Sequence, residues 1–507
     1  MAHLHLVSAP ARYQADEAMV GDNISIDIPG LPDDPDSGLT VAEKAALDRK
    51  LLWKLDLMLL PWLCFLYLIC FLDRTNIGNA KIAHLTKDVH MSTTQYNLTL
   101  TVFFISYAAF EAIANVLIKR FRPSVVLPII MALWGLCMLS MGFVHNWSGL
   151  MAARWFLGVT ESGLFPGVNY YLSCWYRRSE LALRAAIFFS AAALSGSFGG
   201  LLAAAIENLD SKGGKPGWAW IFIIEGAITV IVGLVSFWMV HDFPDEVKFL
   251  SEDDRARVLR RLTLDQQHSA TREDFKIMYL WQALKDWKTY AGMLLYMGPL
   301  MPLYSFSLFL PTIIANLGFT TSTSIVKNQL LSVPPYAVAA VATVAIGYLS
   351  DRQKKRGLYN IICAPVGILG FSMLLGSTNP SLQYAGTFFA ATGIYPTIPI
   401  TTAWISNNVD GVYKRGIVLG LVIGWGNLNG VVSSNVFFHP PRFVEGHATI
   451  IAYMTVCILG GSILMWILLT RENAKRRNGD RNHWVEGKTQ EEIEEMGDRH
   501  PDFIFTT

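Results

Sequence analysis

The chain has 507 residues, 52% of them hydrophobic and only 16% charged, with a mean hydropathy of +0.34. Soluble globular domains carry roughly 25% charged residues, so this composition excludes one and indicates a polytopic membrane protein. The net charge of +1 is uninformative as a total, and no nucleic-acid partner is expected.

Residues 1–50 contain Asp33-Asp34-Pro-Asp36 and no basic stretch followed by an apolar core, so they predict a disordered cytosolic tail, not a signal peptide. Thr40-Val-Ala-Glu43 has the form of a capping box and opens a short polar helix leading into the first span. A span needs about 20 mostly apolar residues. Candidates run near 58–76, 96–118, 124–143, 150–171, 185–206 and 218–240, then 290–314, 330–349, 359–375, 384–405, 417–438 and 450–469. The prediction is an all-α fold of about twelve transmembrane helices in two six-helix bundles, residues 51–241 and 289–470. A cytosolic amphipathic linker (242–288) joins them, and a cytosolic tail (471–507) follows. The loops expected inside carry Lys119, Arg120 and Arg122, then Arg177, Arg178 and Arg184, then Arg352 to Arg356, then Lys414 and Arg415. By the positive-inside rule both termini are cytosolic.

In the linker, Ser251-Glu-Asp-Asp254 caps a helix whose Val258, Leu259 and Leu262 form one apolar stripe, either on the membrane surface or simply solvated. Asn97-Leu-Thr and Asn146-Trp-Ser match glycosylation sequons but lie against predicted spans, where modification is disfavoured. The six cysteines sit in or beside apolar segments without metal-ligand spacing, and no metal or cofactor is expected. Histidines fall mainly in loops without catalytic pairing, so an enzyme is not expected. Gly196, Gly199 and Gly200 suit close helix packing, with a hinge as the alternative.

The chemistry lies in intramembrane charge. An ionised side chain at mid-bilayer costs roughly 3 kcal/mol or more, so it persists only beside a partner or a polar cavity. Asp73-Arg74 falls in span one, and Arg154 and Glu161 in span four. Arg154 and Glu161 are two turns apart on one helix face, about 10 Å. Asp73 and Arg74 point about 100° apart and so serve different partners. A structural pair fastening span four to a neighbour is the rival reading for Arg154 and Glu161, and a place at the membrane interface that for Asp73 and Arg74; Glu111 and Glu225 read more readily as structural acids than as coupling groups.

Gly347-Tyr-Leu-Ser-Asp351-Arg352-Gln-Lys-Lys-Arg356 resembles the loop signature of the major facilitator superfamily, and Arg154-x-x-x-Gly158 matches that family's fourth-helix pattern. The loop after span two keeps Lys119, Arg120 and Arg122 but lacks the Gly and Asp. Within the superfamily the chain resembles the fungal allantoate permease branch of the anion:cation symporters. That likeness rests on Phe71-Leu-Asp73-Arg74-Thr-Asn76, Glu161-Ser-Gly-Leu-Phe-Pro166-Gly167, Trp220-Ile-Phe-Ile-Ile-Glu225, Asp242-Phe-Pro244 and Gly497-Asp-Arg-His500-Pro. The linker and tail look closest to high-affinity nicotinic acid transporter-like proteins.

The resemblance implies proton-coupled uptake of a small organic carboxylate such as nicotinate. Arg74, Tyr107, Arg154, Asn427 and Asn429 would bind substrate, with Trp425 helping to close the site. Asp73 and Glu161 would carry the proton, and Asp351, Arg352 and Arg356 would form a cytosolic gate. It also implies a monomer in the plasma membrane. Export of a metabolite and a non-transporting nutrient sensor remain alternatives.

Overall fold

A computed structural model describes residues 35–206, 209–264, 277–317, 325–410, 412–437, 442–489 and 496–507, and among these there is no strand. The expected tail up to residue 34 lies outside the described residues. Twelve crossings follow in order. In the first half they are α1 (Val41–Ile82), α2 (Thr93–Arg120), α3 (Pro123–Met141), α4 (Trp147–Glu161 continued as Leu164–Ser173), α5 (Arg178–Ile206) and α6 (Gly217–Met239). The second half has α7 (Trp287–Ala315), α8 (Ile325–Gln353), α9 (Arg356–Gly376), α10 (Pro380–Ile394 continued as Thr397–Asn407), α11 (Val412–Ser434) and α12 (Val444–Arg477).

Local chemistry sets these ends. Thr40 and Glu43 form the capping box of α1, and Ser92 and Gln95 form that of α2. Asn146 accepts from Gly149 N–H at 2.8 Å to start α4, and Pro123 and Pro380 occupy first-turn positions. The sequon asparagines both lie in helices or their caps: Asn97 is buried in α2, and Asn146 is the cap just described.

Nine of the described helices are long and apolar enough to cross a membrane. α4 and α10 fall outside that group because each is interrupted at an equivalent place in its half. Pro166 has no N–H for the Ser162 carbonyl, and Pro399 none for that of Tyr395, so neither helix runs unbroken. α2 is one continuous helix, with Thr, Ser, Asn and Glu111 along it.

The halves repeat one packing scheme: α3 lies against α6 and α9 against α12, while α2 meets α11 and α5 meets α8 across the centre. At the α5–α8 seam a Cβ on Gly196 would fall 2.6 Å from the Tyr336 ring, so this glycine serves helix contact. Large apolar residues such as Leu133, Ile231, Trp238 and Val341 point outward, as a lipid-facing belt requires.

The linker helix, Glu252–Leu264, does not lie free. Val258 and Leu262 are buried, Arg257 holds Asp36 through two nitrogens, and Arg261 reaches Glu180 of α5 at 2.5 Å. Lys54 of α1 pairs with Asp254 at 2.8 Å. The apolar stripe therefore faces protein. α1 begins at Val41, so its first turns precede the sequence boundary at residue 50 and run along this same linker face.

The tail also docks. α12 runs to Arg477, and the last residues return to the linker face of the second half. There Phe503 and Phe505 bury beside Trp404, Leu295, Met465 and Leu469.

Candidate functional site: a sealed polar chain between the halves

Arg74 is the hub. It lies on α1, 4% exposed, with the rings of Phe71, Phe103, Tyr107 and Tyr304 at 4.9 to 5.8 Å from its guanidinium carbon. Its Nε and Nη2 both donate to Glu161 Oε1, at 2.8 and 2.5 Å. Cys70, one turn before Arg74, places its thiol 3.1 Å from the same oxygen. Arg74 Nη1 reaches Tyr304 Oη of α7 at 3.3 Å, and that hydroxyl donates to Asn427 Oδ1 of α11 at 2.6 Å. Asn427 Nδ2 in turn donates to Glu111 Oε2 of α2 at 2.9 Å. A continuous chain thus runs from Glu161 through Arg74, Tyr304 and Asn427 to Glu111. It crosses between the halves twice.

Every member of that chain is buried, so neither face admits water to it in this conformation. A guanidinium desolvated among aromatic rings keeps its charge through the carboxylate it pairs with and through ring quadrupoles. The close approach of α4 to α2 is made by Gly158, where any Cβ would collide with the Phe103 carbonyl and Ser106 hydroxyl.

The expected residues divide. Arg74, Tyr107, Glu161 and Asn427 come together. Asp73 does not join them: it faces α3 and α6, where Trp134 Nε1 and Thr229 Oγ1 donate to its Oδ2 at 2.8 and 2.7 Å. That separation follows from the 100° between neighbours on a helix. Arg154 does not pair with Glu161. It reaches the Arg74 carbonyl at 3.5 Å and lies 6.0 Å from the Phe103 ring, with Nε and Nη2 unpartnered among the described residues. Asn429 is buried but spends its amide on the Trp425 carbonyl of its own helix. The Trp425 ring is 47% exposed and faces outward, so it does not close the centre.

Sequence reasoning did not single out Tyr304, and Glu111, read as structural, lies at the end of this chain. Tyr304 carries no local charge signal and gains its role only from the α1–α7 packing.

At the linker face Asp351 and Arg356 form an ion pair, and Asp351 also meets the Leu183 backbone of α5, across the seam. Arg184 grips Asp56 of α1 through two nitrogens at 3.0 and 2.7 Å. Arg352 is exposed and forms no ion pair among the described residues.

Twelve crossings in two similar halves, with buried charge at their junction, define a membrane transporter. Residues 63–434 match the family model described as Major Facilitator Superfamily, and the chain belongs to that family. It is 36% identical to the MFS-type transporter cnsO of Penicillium expansum, over 90% of both chains. It is 32% identical to the high-affinity nicotinic acid transporter of Saccharomyces cerevisiae, over 90% of this chain and 85% of that one. Among solved structures, a bacterial homologue of the human lysosomal transporter Spinster, inward-facing and occupied, aligns with TM-score 0.57 over 81% of this chain and 96% of that one. At 15% identity that match speaks to the fold alone.

Proposed function

We propose that the protein imports a small organic monocarboxylate, such as nicotinate, together with a proton, by alternating access of its two halves. The observation that carries this reading is the Arg74–Glu161 pair inside the aromatic box. Glu161 presents to Arg74 the group a substrate would present, and a guanidinium fork suits a carboxylate. When a substrate carboxylate takes the fork, Glu161 is left buried and charged unless it takes a proton. Anion and proton uptake are then one event. A monocarboxylate entering with one proton is a neutral load, whereas the bare anion would oppose a cell-negative potential at about 2.3 kcal/mol per 100 mV.

The other assignments follow from position. Tyr107, Tyr304 and Asn427 line the carboxylate site, while Arg154 and Asp73 act from behind it. Asp351 and Arg356 latch the linker face, taken as the cytosolic side because its loops are basic. A single chain in the plasma membrane suffices for this cycle.

The test is uptake of nicotinate, benzoate and butyrate into proteoliposomes at external pH 5 and 7.5. Faster accumulation of one of them at acid pH supports symport. Flux of none, at either pH, removes the proposal.

A further inference from the structure

Toward the face opposite the linker, the way to Arg74 is closed where α1 meets α7. A Cβ on Gly78 would fall 2.7 Å from the Leu308 carbonyl oxygen, so the two backbones touch there. Arg74 lies one turn to the linker side of Gly78, against Tyr304 of α7. Lys81 lies beyond Gly78 on the other side, half-buried. Its ammonium is 4.3 Å from the Tyr96 ring of α2 and 5.8 Å from the Phe309 ring of α7. Arg74 and Lys81 are seven residues apart, two turns or about 10 Å along α1, and so share the helix face that meets α7.

The Lys81 ammonium forms no ion pair among the described residues, and burial against the two rings is its whole environment. Acids toward this face are engaged elsewhere: Asp88 Oδ2 accepts from Trp218 Nε1 of α6 at 2.8 Å, and Asp210 Oδ1 from the Gly217 N–H at 2.8 Å. A ring face attracts an ammonium without cancelling its charge. A lysine that only anchored the helix end would extend its ammonium to the headgroups. Lys81 turns toward the seam instead, onto rings of both halves. When the halves part on this side, the contact at Gly78 opens. One face of α1 then presents Lys81 at the mouth and Arg74 two turns deeper.

We infer that Lys81 is a specificity-determining residue of the outer vestibule, whose charge favours anions and strengthens carboxylate binding at Arg74 while the carrier is open to the outside. The inference rests on the proposed carboxylate uptake and adds a residue that discriminates by charge ahead of the guanidinium fork. Lys81 acts through space and does not touch the bound substrate. Over about 10 Å, at an effective dielectric constant of roughly 20 to 35, its attraction multiplies affinity roughly three- to eightfold at 10 mM ionic strength. The screening length there is about 30 Å. At 300 mM it is about 5 to 6 Å, and the factor falls below about two.

The experiment measures uptake by whole cells expressing the full chain, which present only the outer face to substrate. It uses whichever of nicotinate, benzoate and butyrate is taken up fastest, at 10 and 300 mM ionic strength with osmolarity held by sucrose. Lys81→Met keeps the length of the side chain and removes its charge. It should raise KM roughly three- to eightfold at 10 mM and less than about twofold at 300 mM, with the maximal rate per surface carrier unchanged. Lys81→Arg should keep the wild-type KM at both. Lys81→Gln replaces the Met variant if that one does not reach the surface. An unchanged KM in the neutral variant overturns the inference. A lowered KM does too, and is the result if Lys81 only latches the closed form, because losing that latch favours the open one. A rise of equal size at both ionic strengths marks a packing role and also overturns it, as does an Arg variant that behaves like the neutral one. Absence of uptake of all three carboxylates by the wild type is the separate failure of the proposed function.

Discussion

At the scale of single residues, the proposed function gives Arg74 a choice between two carboxylates, its own Glu161 and a substrate. Two nitrogens of one planar group meet one oxygen, a geometry an ammonium does not reproduce. Arg74→Lys keeps the charge but loses the fork. Losing one charge-assisted hydrogen bond, about 2 to 3 kcal/mol, should raise the KM for the carboxylate by roughly 30- to 150-fold with surface expression unchanged. Wild-type KM in Arg74→Lys would take Arg74 out of the substrate site. Glu161→Gln removes the titrating group without changing its shape. It should abolish pH-driven accumulation while sparing exchange of labelled for unlabelled substrate; intact accumulation would show that the proton rides elsewhere. Arg74 and Glu161 stood out as intramembrane charges because charge inside an apolar run is costly and so is visible in any reading of the sequence. Their pairing with each other did not, because helix spacing relates Glu161 only to Arg154 on its own helix. The α1–α4 contact, across 87 residues of chain, decides the partner instead.

At the scale of helices, the two seams between the halves are built differently. α2 and α11 meet through side-chain amides and a carboxyl, as in Asn427 with Glu111 and Asn435 Nδ2 with Thr101 Oγ1 at 2.8 Å. α5 and α8 meet through small residues, with Gly196 under the Tyr336 ring and Ser197 donating to the Val333 carbonyl at 3.0 Å. A polar seam exchanges partners when it opens, whereas a small-residue seam depends on closeness alone. Gly196→Leu should therefore wedge α5 from α8. Overpacking of this kind costs about 1 to 3 kcal/mol. The expected outcome is a lower thermal midpoint together with loss of transport, and wild-type flux in this variant would show that the seam tolerates separation. Span number and order were readable from hydropathy, since lipid demands long apolar helices. The interruptions of α4 and α10 had a sequence signal in Pro166 and Pro399, although the apolar run continued through both. Hydropathy measures solvation and does not register a missing N–H.

On the scale of the whole molecule, the tail turns four helix ends of the second half into one body. Asp498 bridges Lys288 at the start of α7 and Lys414 at the start of α11, with Asp286 completing a buried set of two acids and two lysines. Asn408 of α10 exchanges two hydrogen bonds with the Thr506 backbone, Asn473 of α12 does the same with Phe505, and Arg476 donates to the carbonyls of Asp498, His500 and Phe503. The sequence marks the tail only as a cytosolic segment because these partners lie on helices far away in sequence, and only the assembled second half offers them. Asp498→Ala leaves two buried lysines to share one carboxylate. Breaking a buried pair from one side costs about 3 to 5 kcal/mol, so the variant should lose thermal stability and surface abundance. Burial alone would lift the Asp286 carboxyl, but Lys288 and Lys414 hold it below its ordinary value of 3.8. A carboxyl lowered on folding stabilises the protein above its unfolded pKa and loses that contribution only as pH falls through the lower folded value. The Asp286 contribution is therefore at full strength throughout the acid range in which proton-driven uptake would operate, from about pH 5 upward. The thermal midpoint of the wild type should exceed that of Asp286→Ala by the same margin at pH 5 and pH 7.5. A margin that vanishes at pH 5 would show that the cluster titrates within the working range and that the tail releases under the conditions that drive transport.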